Sequence, residues 1–320
     1  SKLMYRIKSN TKRRKPMTEN KKSVDNHYDA AANQYHEQYE RDRLHDLSAS
    51  YPANYFRLQL LLNSFISKRI KRVIEVGVGE GTPLTTLGKA GIDVWGFDIS
   101  KEMVKKSKET MQKSEMNPDQ IFWGDIQDPT TYAHALKDGQ FDGLMAMGVM
   151  PHVENDDMVL KNMSTLVRPG GSVFIEFRNK LLSLFSFNRY TADFILNDLL
   201  AGVDNKVKDV VRQDLESRLR MDMPPVRDKM EDSDAPGYDA ILSKFHNPFE
   251  VIEQFRKHGF NDIQLRWYHY HPSMPYLDGN MPELFRKEAI RLEHEPSNWR
   301  GYFLCSAFVV EAINGDTSNG

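Results

Sequence analysis

Short apolar runs that alternate with amphipathic helical patterns constrain the fold of this chain most. The runs RVIEVG, VWGFD, IFWGD, FDGLMAMG and SVFIEFR have strand length and fall between residues 72 and 178. The segments between them, among them TPLTTLGKAG and SKEMVKKSKETMQKS, have apolar residues at helical spacing. Strands that alternate with helices in this way predict a parallel sheet covered by helices on both faces.

The flanking segments predict additions to this core. Aromatic residues recur at helical spacing from residue 25 onward, which predicts a helical cap over 25–70, and residues 71–178 form the core. The strand signal then disappears, which predicts a helical insertion, or lid, over 179–245. Residues 246–313 complete the core with a helix and two strands that pair antiparallel at its edge. Residues 1–24, which are basic, and 314–320 are predicted to be flexible tails.

Composition narrows the class of partner. The 320 residues carry a formal net charge of −2, so the chain as a whole does not indicate a nucleic-acid or membrane partner. No run approaches the roughly 18 apolar residues that a membrane helix requires. The single cysteine, Cys305, cannot form an internal disulfide, which fits a reducing compartment. These features predict a cytoplasmic protein that acts on a small molecule. The basic start is interpreted as a solvated tail or as a tether to an anionic surface.

The stretch VIEVGVGEG, residues 73–81, ends a predicted strand with Gly77, Gly79 and Gly81 at alternate positions. In the dinucleotide fingerprint the third glycine follows the second by three residues, and Thr82 occupies that position here, which disfavours NAD. A glycine-rich turn before a helix still lets backbone amides approach a carboxylate or a phosphate. Glu75, just inside the strand, adds an acceptor for an ammonium group.

Two acids end the next predicted strands. Asp98 lies about 20 residues downstream, where doubly wound folds place a carboxylate that accepts ribose hydroxyls, and Asp125 ends the third strand. With EVGVGEG, GFDIS and WGDIQ in this order, the sequence resembles the class I S-adenosylmethionine-dependent methyltransferases. The resemblance covers residues 71–178 well and the later segments more loosely.

The resemblance implies a fold, a cofactor and a set of contacts. The implied fold is an α/β doubly wound, mostly parallel seven-stranded sheet whose last strand is antiparallel, with an N-terminal helical cap and a helical insertion after strand five. The implied cofactor is S-adenosyl-L-methionine, with S-adenosyl-L-homocysteine as product. The three glycines are assigned to the methionine end, Asp98 to the ribose, and Asp125 with Ile126 to the adenine. Glu75, Ile99 and Met147 complete the predicted cofactor contacts.

Methyl transfer from a sulfonium needs alignment above all, with a base only where the acceptor carries a proton. His152, directly after the fourth strand, is the predicted base; the alternative is that it only caps or packs the following helix. The surrounding GVMPHVE does not resemble the Asn-Pro-Pro-Tyr type of element found in methyltransferases that act on nucleic-acid bases. A nucleic-acid acceptor is therefore disfavoured, although the basic start leaves a macromolecular acceptor open.

Polar side chains after the fifth strand are predicted to bind the acceptor. Arg178 and Asn179 emerge at the sheet edge and Arg189 and Tyr190 follow, which favours a carboxylate, a phosphate or a sugar-like compound. The alternative is that these groups only fix the loop. His246 and His269 complete the predicted acceptor site. Strand alternation predicts that Trp267, His269 and His271 share one face and that Tyr268 and Tyr270 share the other.

No metal site is predicted, because the histidines lack a framework of acids at regular spacing. Five tyrosines of the predicted cap form either a lid over the cofactor or a helical core stripe: Tyr28, Tyr35, Tyr39, Tyr51 and Tyr55. The predicted function is methyl transfer to a small molecule, with oxygen favoured over nitrogen. The alternatives are an N-methyltransferase, a non-catalytic cofactor-binding protein and an NAD-dependent oxidoreductase, and the oligomeric state is left open.

Overall fold

The computed structural model describes residues 44–48, 50–229 and 236–315. The predicted basic tail, the first part of the predicted cap with Tyr28, Tyr35 and Tyr39, and residues 316–320 lie outside the described part. Seven strands form one sheet: β1 (Arg72–Val76), β2 (Asp93–Asp98), β3 (Ile121–Trp123), β4 (Phe141–Ala146), β5 (Val167–Arg178), β6 (Phe260–Tyr270) and β7 (Cys305–Asn314).

The strand order across the sheet is β3-β2-β1-β4-β5-β7-β6. The pairs among β1 to β5 are parallel, and β7 runs antiparallel to both β5 and β6. The predicted mostly parallel seven-stranded sheet with an antiparallel last strand is confirmed. Because the order reverses between β1 and β4, the crevice for a ligand is expected outside the carboxyl ends of these two strands.

Helices flank the sheet and its carboxyl edge. They are α1 (Ala53–Ser67), α2 (Thr82–Lys89), α3 (Lys101–Lys113), α4 (Asp156–Leu166), α5 (Ser183–Ser186), α6 (Arg189–Asp193), α7 (Asn205–Arg218), α8 (Pro248–Lys257), α9 (Pro282–Glu293) and α10 (Gly301–Leu304). Helices α5 to α7 follow β5, in the segment predicted to be a helical insertion. None of the helices in the described ranges is long and apolar enough to cross a membrane.

Two apolar clusters cover the two faces of the sheet. On one face, α1 and α2 pack on the sheet through residues such as Phe65 and Leu84, which are fully buried. On the other face, α4 and α8 pack through residues such as Leu160 and Phe255. The strands alternate their side chains between these clusters, so that neighbours such as Val73 and Ile74 face opposite sides.

The end of the chain departs from the predicted strand boundaries in two places. The apolar run GYFLCSAFVVEA predicts a last strand from Gly301 onward, but Gly301–Leu304 forms the short helix α10. Gly301 packs against Trp267, and a Cβ there would come within 2.1 Å of the ring. In β6, His269 has a φ of +61°, and the alternation breaks there. Trp267 and Tyr270 therefore pack in one cluster and Tyr268 in the other, so the predicted division of faces is wrong.

Candidate active site

The glycine bend after β1 has left-handed backbone at each of its glycines. Gly77, Gly79 and Gly81 have φ values of +71°, +55° and +88°. A Cβ on Gly77 would come within 2.5 Å of Val149, and one on Gly81 within 2.6 Å of Ser107. A Cβ on Gly79 would meet nothing within 4 Å. Gly77 and Gly81 are therefore required by packing, whereas Gly79 exposes bare backbone to open space that a ligand can occupy.

Asp98, at the end of β2, is tied directly to this bend. Its Oδ2 accepts a hydrogen bond from the Gly79 amide at 2.9 Å, and its Oδ1 accepts one from the Ser100 amide at 2.9 Å. Each carboxylate oxygen keeps a further lone pair, so Asp98 can also accept hydroxyl hydrogens. Ile99, the next residue, leaves 62% of its surface exposed at the same edge. The two predicted cofactor residues thus stand side by side beside Gly79.

The turn after β3 is fixed by hydrogen bonds. The Asp125 amide donates to Thr131 Oγ1 at 3.0 Å, and Asp125 Oδ1 accepts from the Gln127 amide at 2.9 Å. The Ile126 carbonyl accepts from Asn162 Nδ2 at 2.8 Å, and the Ile126 side chain is buried. These bonds hold the predicted adenine contacts at the carboxyl edge, one strand beyond Asp98.

A cavity of about 220 Å³ opens beside the glycine bend. It is lined by Asn54, Arg57, Leu58, Glu75, Gly77, Val78, Gly79, Glu80, Thr82, Pro83 and Met147. Four of the predicted cofactor residues therefore share this cavity, namely Glu75, Gly77, Gly79 and Met147. Asp98 reaches it through its bond to Gly79, while Ile99, Asp125 and Ile126 continue the same edge outward.

Arg57 of α1 borders this cavity and was not among the predicted site residues. Its Nη1 lies 2.7 Å from Oε2 of Glu176, a buried residue of β5. The same oxygen accepts the Gly148 amide at 2.8 Å, just after β4. Arg57 lies four residues before Leu61 and eight before Phe65 on the buried stripe of α1. A charged residue on an apolar stripe is the sequence signal that could have identified it.

Glu75 is fully enclosed and incompletely paired. Burial raises the pKa of its carboxyl well above the ordinary value; the Asp98 charge adds to this and the Arg57 charge opposes it. Among the described residues, Glu75 Oε2 has no hydrogen-bond partner. A ligand with an ammonium group would supply the missing donor, and Arg57 would pair with a carboxylate. The cavity therefore fits the amino-acid end of S-adenosylmethionine, and Asp98 fits its ribose.

His152, the predicted base, lies in a short helical turn after β4 and is exposed. Its Nδ1 lies 2.7 Å from the carbonyl oxygen of Leu242, in the segment before β6. His152 is not one of the residues that border the cofactor cavity. The structure thus places it at the correct edge of the sheet, joined to the far end of the predicted insertion.

A second cavity, of about 290 Å³, lies among the residues that follow β5 and is closed by Pro275 and Tyr276. Its lining is largely apolar and aromatic and includes Leu182, Tyr190, Phe194, Met223, Pro224, Phe245 and Tyr276. Asn179 borders it, but its Nδ2 donates to the Tyr302 and Cys305 carbonyls, both at 2.8 Å. Arg189 donates to the Pro224 carbonyl and, at 3.2 Å, to the Tyr190 hydroxyl. The hydrogen bonds of Asn179 and Arg189 therefore fix the walls of this cavity.

The remaining predicted acceptor residues are spread along the edge. His246 Nε2 lies 2.8 Å from Asp156 Oδ2 and borders a polar cavity of about 450 Å³ beside α4 and α8. Burial alone would raise the pKa of Asp156, but hydrogen bonds from His246 and Lys244 lower it below the ordinary value. The Arg178 carbonyl accepts the His246 amide at 2.7 Å.

His269 lies at the end of β6, on the side of the sheet that α1 covers. Its ring stacks on Tyr51 with the ring centroids 5.1 Å apart. The structure therefore does not bring the six predicted acceptor residues into one pocket. Among the described residues, no group of three or more His, Cys, Asp or Glu is arranged to hold a metal ion.

Comparisons with known proteins agree with this geometry. Residues 74–175 match a family model described as a methyltransferase domain. The ubiquinone biosynthesis O-methyltransferase of Methylococcus capsulatus is 26% identical over 219 residues, which cover 66% of this chain and 87% of that enzyme. The enzyme of the same name from Coxiella burnetii is 28% identical over 138 residues, or 43% of this chain. That match spans 56%, just over half, of the Coxiella enzyme.

A crystal structure of a SAM dependent methyltransferase from Archaeoglobus fulgidus covers 87% of this chain and 99% of its own, with 14% identity and a TM-score of 0.44. A likeness at that level adds nothing about the acceptor. The matching family model covers the segment that holds the glycine bend and Asp98. The chain therefore carries a methyltransferase domain at residues 74–175, on a Rossmann-like sheet of seven strands.

Proposed function

We propose that this protein transfers the methyl group of S-adenosylmethionine to an oxygen atom of a small molecule bound at the carboxyl edge of the sheet. The observation that carries the proposal is the open cavity at Gly79, which the partly buried Arg57 and the acids Glu75 and Glu80 border and which Asp98 adjoins. Such a cavity suits a zwitterionic amino-acid end joined to a ribose.

The proposed contacts of the cofactor follow from this cavity. Arg57 pairs with the carboxylate of the methionine end and Glu75 accepts from its ammonium group. The glycine bend lets the methionine chain of the cofactor pass over bare backbone, and Asp98 accepts hydrogen bonds from the ribose hydroxyls. Ile99 packs on the adenine, whose edge faces Asp125 and Ile126. Met147 closes the cavity on the side of β4.

When bound, the cofactor supplies a methyl group on a positively charged sulfur, which reacts by in-line displacement. The protein therefore has to align the acceptor oxygen and exclude water. Glu176 joins α1 to the loop after β4, since one of its oxygens binds both Arg57 and Gly148. This bond fixes the wall between the cofactor and the crevice. His152 and His269 are the two candidates for taking a proton from the acceptor.

Transfer to oxygen is favoured for two reasons. The relatives from Methylococcus and Coxiella are O-methyltransferases by name, and histidines stand at the sheet edge to take a hydroxyl proton. We propose a polar or anionic acceptor that approaches Arg178. The apolar lining of the cavity under the insertion indicates that the acceptor also carries an apolar part.

We propose that the cap, residues 25–70, and the insertion, residues 179–245, close over the acceptor. The described part of the cap already contributes Arg57 to the cofactor cavity. The insertion supplies most of the second cavity, and its far end meets His152 at Leu242. Closure by these two segments would exclude water from the site of transfer.

The proposal is tested with a methyl donor that carries deuterium in its methyl group. Purified protein and this donor are incubated with a metabolite extract, and products that gain the label are identified by mass spectrometry. We expect a labelled methyl ether or ester and release of S-adenosylhomocysteine. A labelled amine would overturn transfer to oxygen, and binding of the donor without any labelled product would overturn catalysis on small molecules.

A further inference from the structure

The end of β6 holds a group of side chains that the cofactor site does not use. We propose that the cavity bordered by Tyr51, His269 and His271 binds a flat ring that carries a hydroxyl group, and that His269 takes the hydroxyl proton during methyl transfer. This inference rests on the proposed function and adds to it the place of the acceptor and the identity of the base.

The cavity has a volume of about 250 Å³ and lies between residues 47–51, the end of β6 and α9. Its lining combines rings with polar groups: Leu47, Ser50, Tyr51, His269, Tyr270, His271, Pro272, Asp278, Pro282, Phe285, Arg286 and Ala289. Stacked rings favour a flat ligand, and the polar groups give such a ligand an orientation. The volume suits one substituted ring.

His269 is held in a conformation that a strand residue rarely adopts. Its φ of +61° lies in the left-handed region, which is unfavourable for a residue other than glycine. Its ring stacks with Tyr51 and with His271, with centroid distances of 5.1 Å and 4.8 Å. These two stacks fix the ring where it borders the cavity.

Two polar atoms beside the cavity lack partners. His271 Nε2 and Glu293 Oε2 are buried and make no hydrogen bond to any residue of the described ranges. Glu293 Oε1, by contrast, accepts from the Tyr51 hydroxyl at 2.7 Å and from the Tyr270 amide at 2.9 Å. A buried polar atom without a partner is unfavourable, because it has lost its hydrogen bonds to water. A ligand hydroxyl that reaches His271 would supply the missing partner.

The two histidines are uncharged at neutral pH. Burial lowers the pKa of His269 to about 4, against the opposing charge of Glu176. Burial and the neighbouring His269 lower the pKa of His271 to about 3. A neutral imidazole has one nitrogen that accepts a proton.

Charged and titratable groups surround His269 on the neighbouring elements. These are Glu176 on β5, Arg57 on α1, Tyr268 on β6, His271 just after β6, Glu293 and Arg286 on α9, and Tyr51 before α1. Glu176 is the carboxylate whose charge favours the protonated form of His269. The imidazolium that forms during transfer therefore has an acid nearby to stabilise it.

The register of the sheet places this cavity next to the cofactor. His269 is level with Ser306 on β7, whose carbonyl accepts the Asn179 amide, so His269 stands at the carboxyl edge. Tyr51 lines the acceptor cavity, while Asn54 and Arg57, three and six residues later, line the cofactor cavity. The start of α1 thus borders both cavities.

Methyl transfer needs no reactant other than the acceptor and S-adenosylmethionine. The acceptor oxygen forms a bond to the methyl carbon while the carbon–sulfur bond breaks and its electron pair stays on sulfur. The hydroxyl proton passes to a ring nitrogen of His269. The products are a methyl ether, a thioether and an imidazolium, which later releases its proton to water.

The test uses catechol as the acceptor probe. Catechol is titrated into the complex of the protein with S-adenosylhomocysteine, and methyl transfer to catechol is measured with labelled S-adenosylmethionine. His269→Asn is the main variant, because asparagine tolerates left-handed backbone but is no base. We expect a kcat at least about 100-fold lower and an S-adenosylhomocysteine affinity within about twofold of wild type. The exposed His294, changed to Ala, is the matched histidine control.

Two further variants separate a base from a structural residue. His269→Gly keeps the backbone conformation and leaves a hole, so added imidazole is expected to restore part of kcat. His271→Phe is expected to raise the Kd for catechol by about tenfold, because its hydrogen-bonding nitrogen is lost. His152→Ala, measured in the same assay, tests the other candidate base.

The inference is overturned if His269→Asn keeps its kcat, if imidazole restores nothing, or if His152→Ala is the variant that loses kcat. It is also overturned if the wild type binds S-adenosylhomocysteine but neither binds nor methylates catechol. A wild type that binds no S-adenosylhomocysteine at all would refute the proposed function instead, so the two failures are distinguishable.

Discussion

The two halves of the carboxyl edge are built differently. At β1 to β3 most of the proposed site residues lie at or just after the end of a strand, where short sequence motifs mark them. At β5 to β7 the proposed site consists of side chains from the segment before α1, the insertion, β6 and α9, which meet only in the folded chain. We propose that the first half binds through backbone shape and the second through side-chain position.

The two halves are therefore expected to tolerate different substitutions. In the first half, Gly79 and Asp98 are joined by one hydrogen bond of 2.9 Å, so a change in one affects the other. In the second half, Glu293 at the end of α9 accepts hydrogen bonds from both Tyr51 and Tyr270. We therefore expect changes in the first half to act on cofactor affinity, and changes in the second half to act on stability and turnover.

The largest effect is expected at Gly79. In Gly79→Leu the side chain enters the cofactor cavity, so the affinity for S-adenosylmethionine should fall by more than about 100-fold, or about 2.7 kcal/mol. The control is Gly139→Leu, since Gly139 has a φ of +99° and equally open surroundings but lies before β4, at the opposite edge. Both variants lose stability from backbone strain, but only Gly79→Leu should lose calorimetric binding.

Equal loss of binding in both variants would show that strain, and not occupation of the cavity, is responsible. The proposal that the cofactor lies over Gly79 would then be refuted.

Asp98→Asn is expected to have the next largest effect. The amide keeps the shape of the side chain but loses a charged acceptor, so cofactor affinity should fall by about 10- to 100-fold, at about 1.5–3 kcal/mol for a hydrogen bond to a charged group. Asp93→Asn, on the exposed opposite end of the same strand, is the control. Calorimetry with S-adenosylhomocysteine measures both. An unchanged affinity in Asp98→Asn would remove Asp98 from the site.

The second half is tested through pH. Burial raises the pKa of Glu293 to about 7, so the folded state holds a proton that the unfolded state has already released above its ordinary pKa. Stability should therefore fall as pH rises from about 5 to about 8, by an amount on the order of 2 kcal/mol. The free energy of unfolding, measured by denaturation at several pH values in this range, should depend less on pH for Glu293→Gln than for wild type.

The matched control for Glu293 is Glu283→Gln, an exposed acid in the first turn of the same helix. In this variant the free energy of unfolding should depend on pH as it does in wild type. An equally reduced pH dependence in both variants would mean that α9 responds to charge in general. A wild type whose unfolding free energy does not change with pH would contradict a buried, protonated Glu293.

The smallest effect is expected at Ile99. Its side chain is 62% exposed without ligand, and packing on the adenine would bury it. Ile99→Ala should weaken the cofactor by about 1 kcal/mol, or roughly fivefold, from the lost apolar contact. Val210→Ala, with 68% exposure on α7, is the control and should change nothing. A cofactor Kd for Ile99→Ala equal to that of wild type would place the adenine elsewhere.

The sequence predicted the first half of the edge because its signals are local. A glycine bend, an acid at a strand end and their order can be recognised without knowing which distant residues meet. The sheet was predictable for the same reason, since alternating strand and helix patterns define it. A local signal also gave one wrong prediction: Gly301–Leu304 has the composition of a strand but forms α10 and packs against Trp267.

The second half was less predictable, because its geometry depends on contacts between distant segments. Nothing near His269 in the sequence indicates a left-handed backbone or a stack with Tyr51, which lies 218 positions earlier. Asn179 looks like a ligand by position, but its amide is bonded to the carbonyls of Tyr302 and Cys305. Arg57 gave only a weak sequence signal, a charge on an apolar stripe. Its partner Glu176, on β5, is identified only by the fold.

We propose above all that S-adenosylmethionine binds at the carboxyl ends of β1 and β2, over Gly79. A crystal structure of the protein with S-adenosylhomocysteine would show where the nucleoside lies. We expect its amino-acid end between Arg57 and Glu75, and both ribose hydroxyls on Asp98. A nucleoside found in another cavity, or a glycine bend covered by the protein's own side chains in that complex, would contradict it.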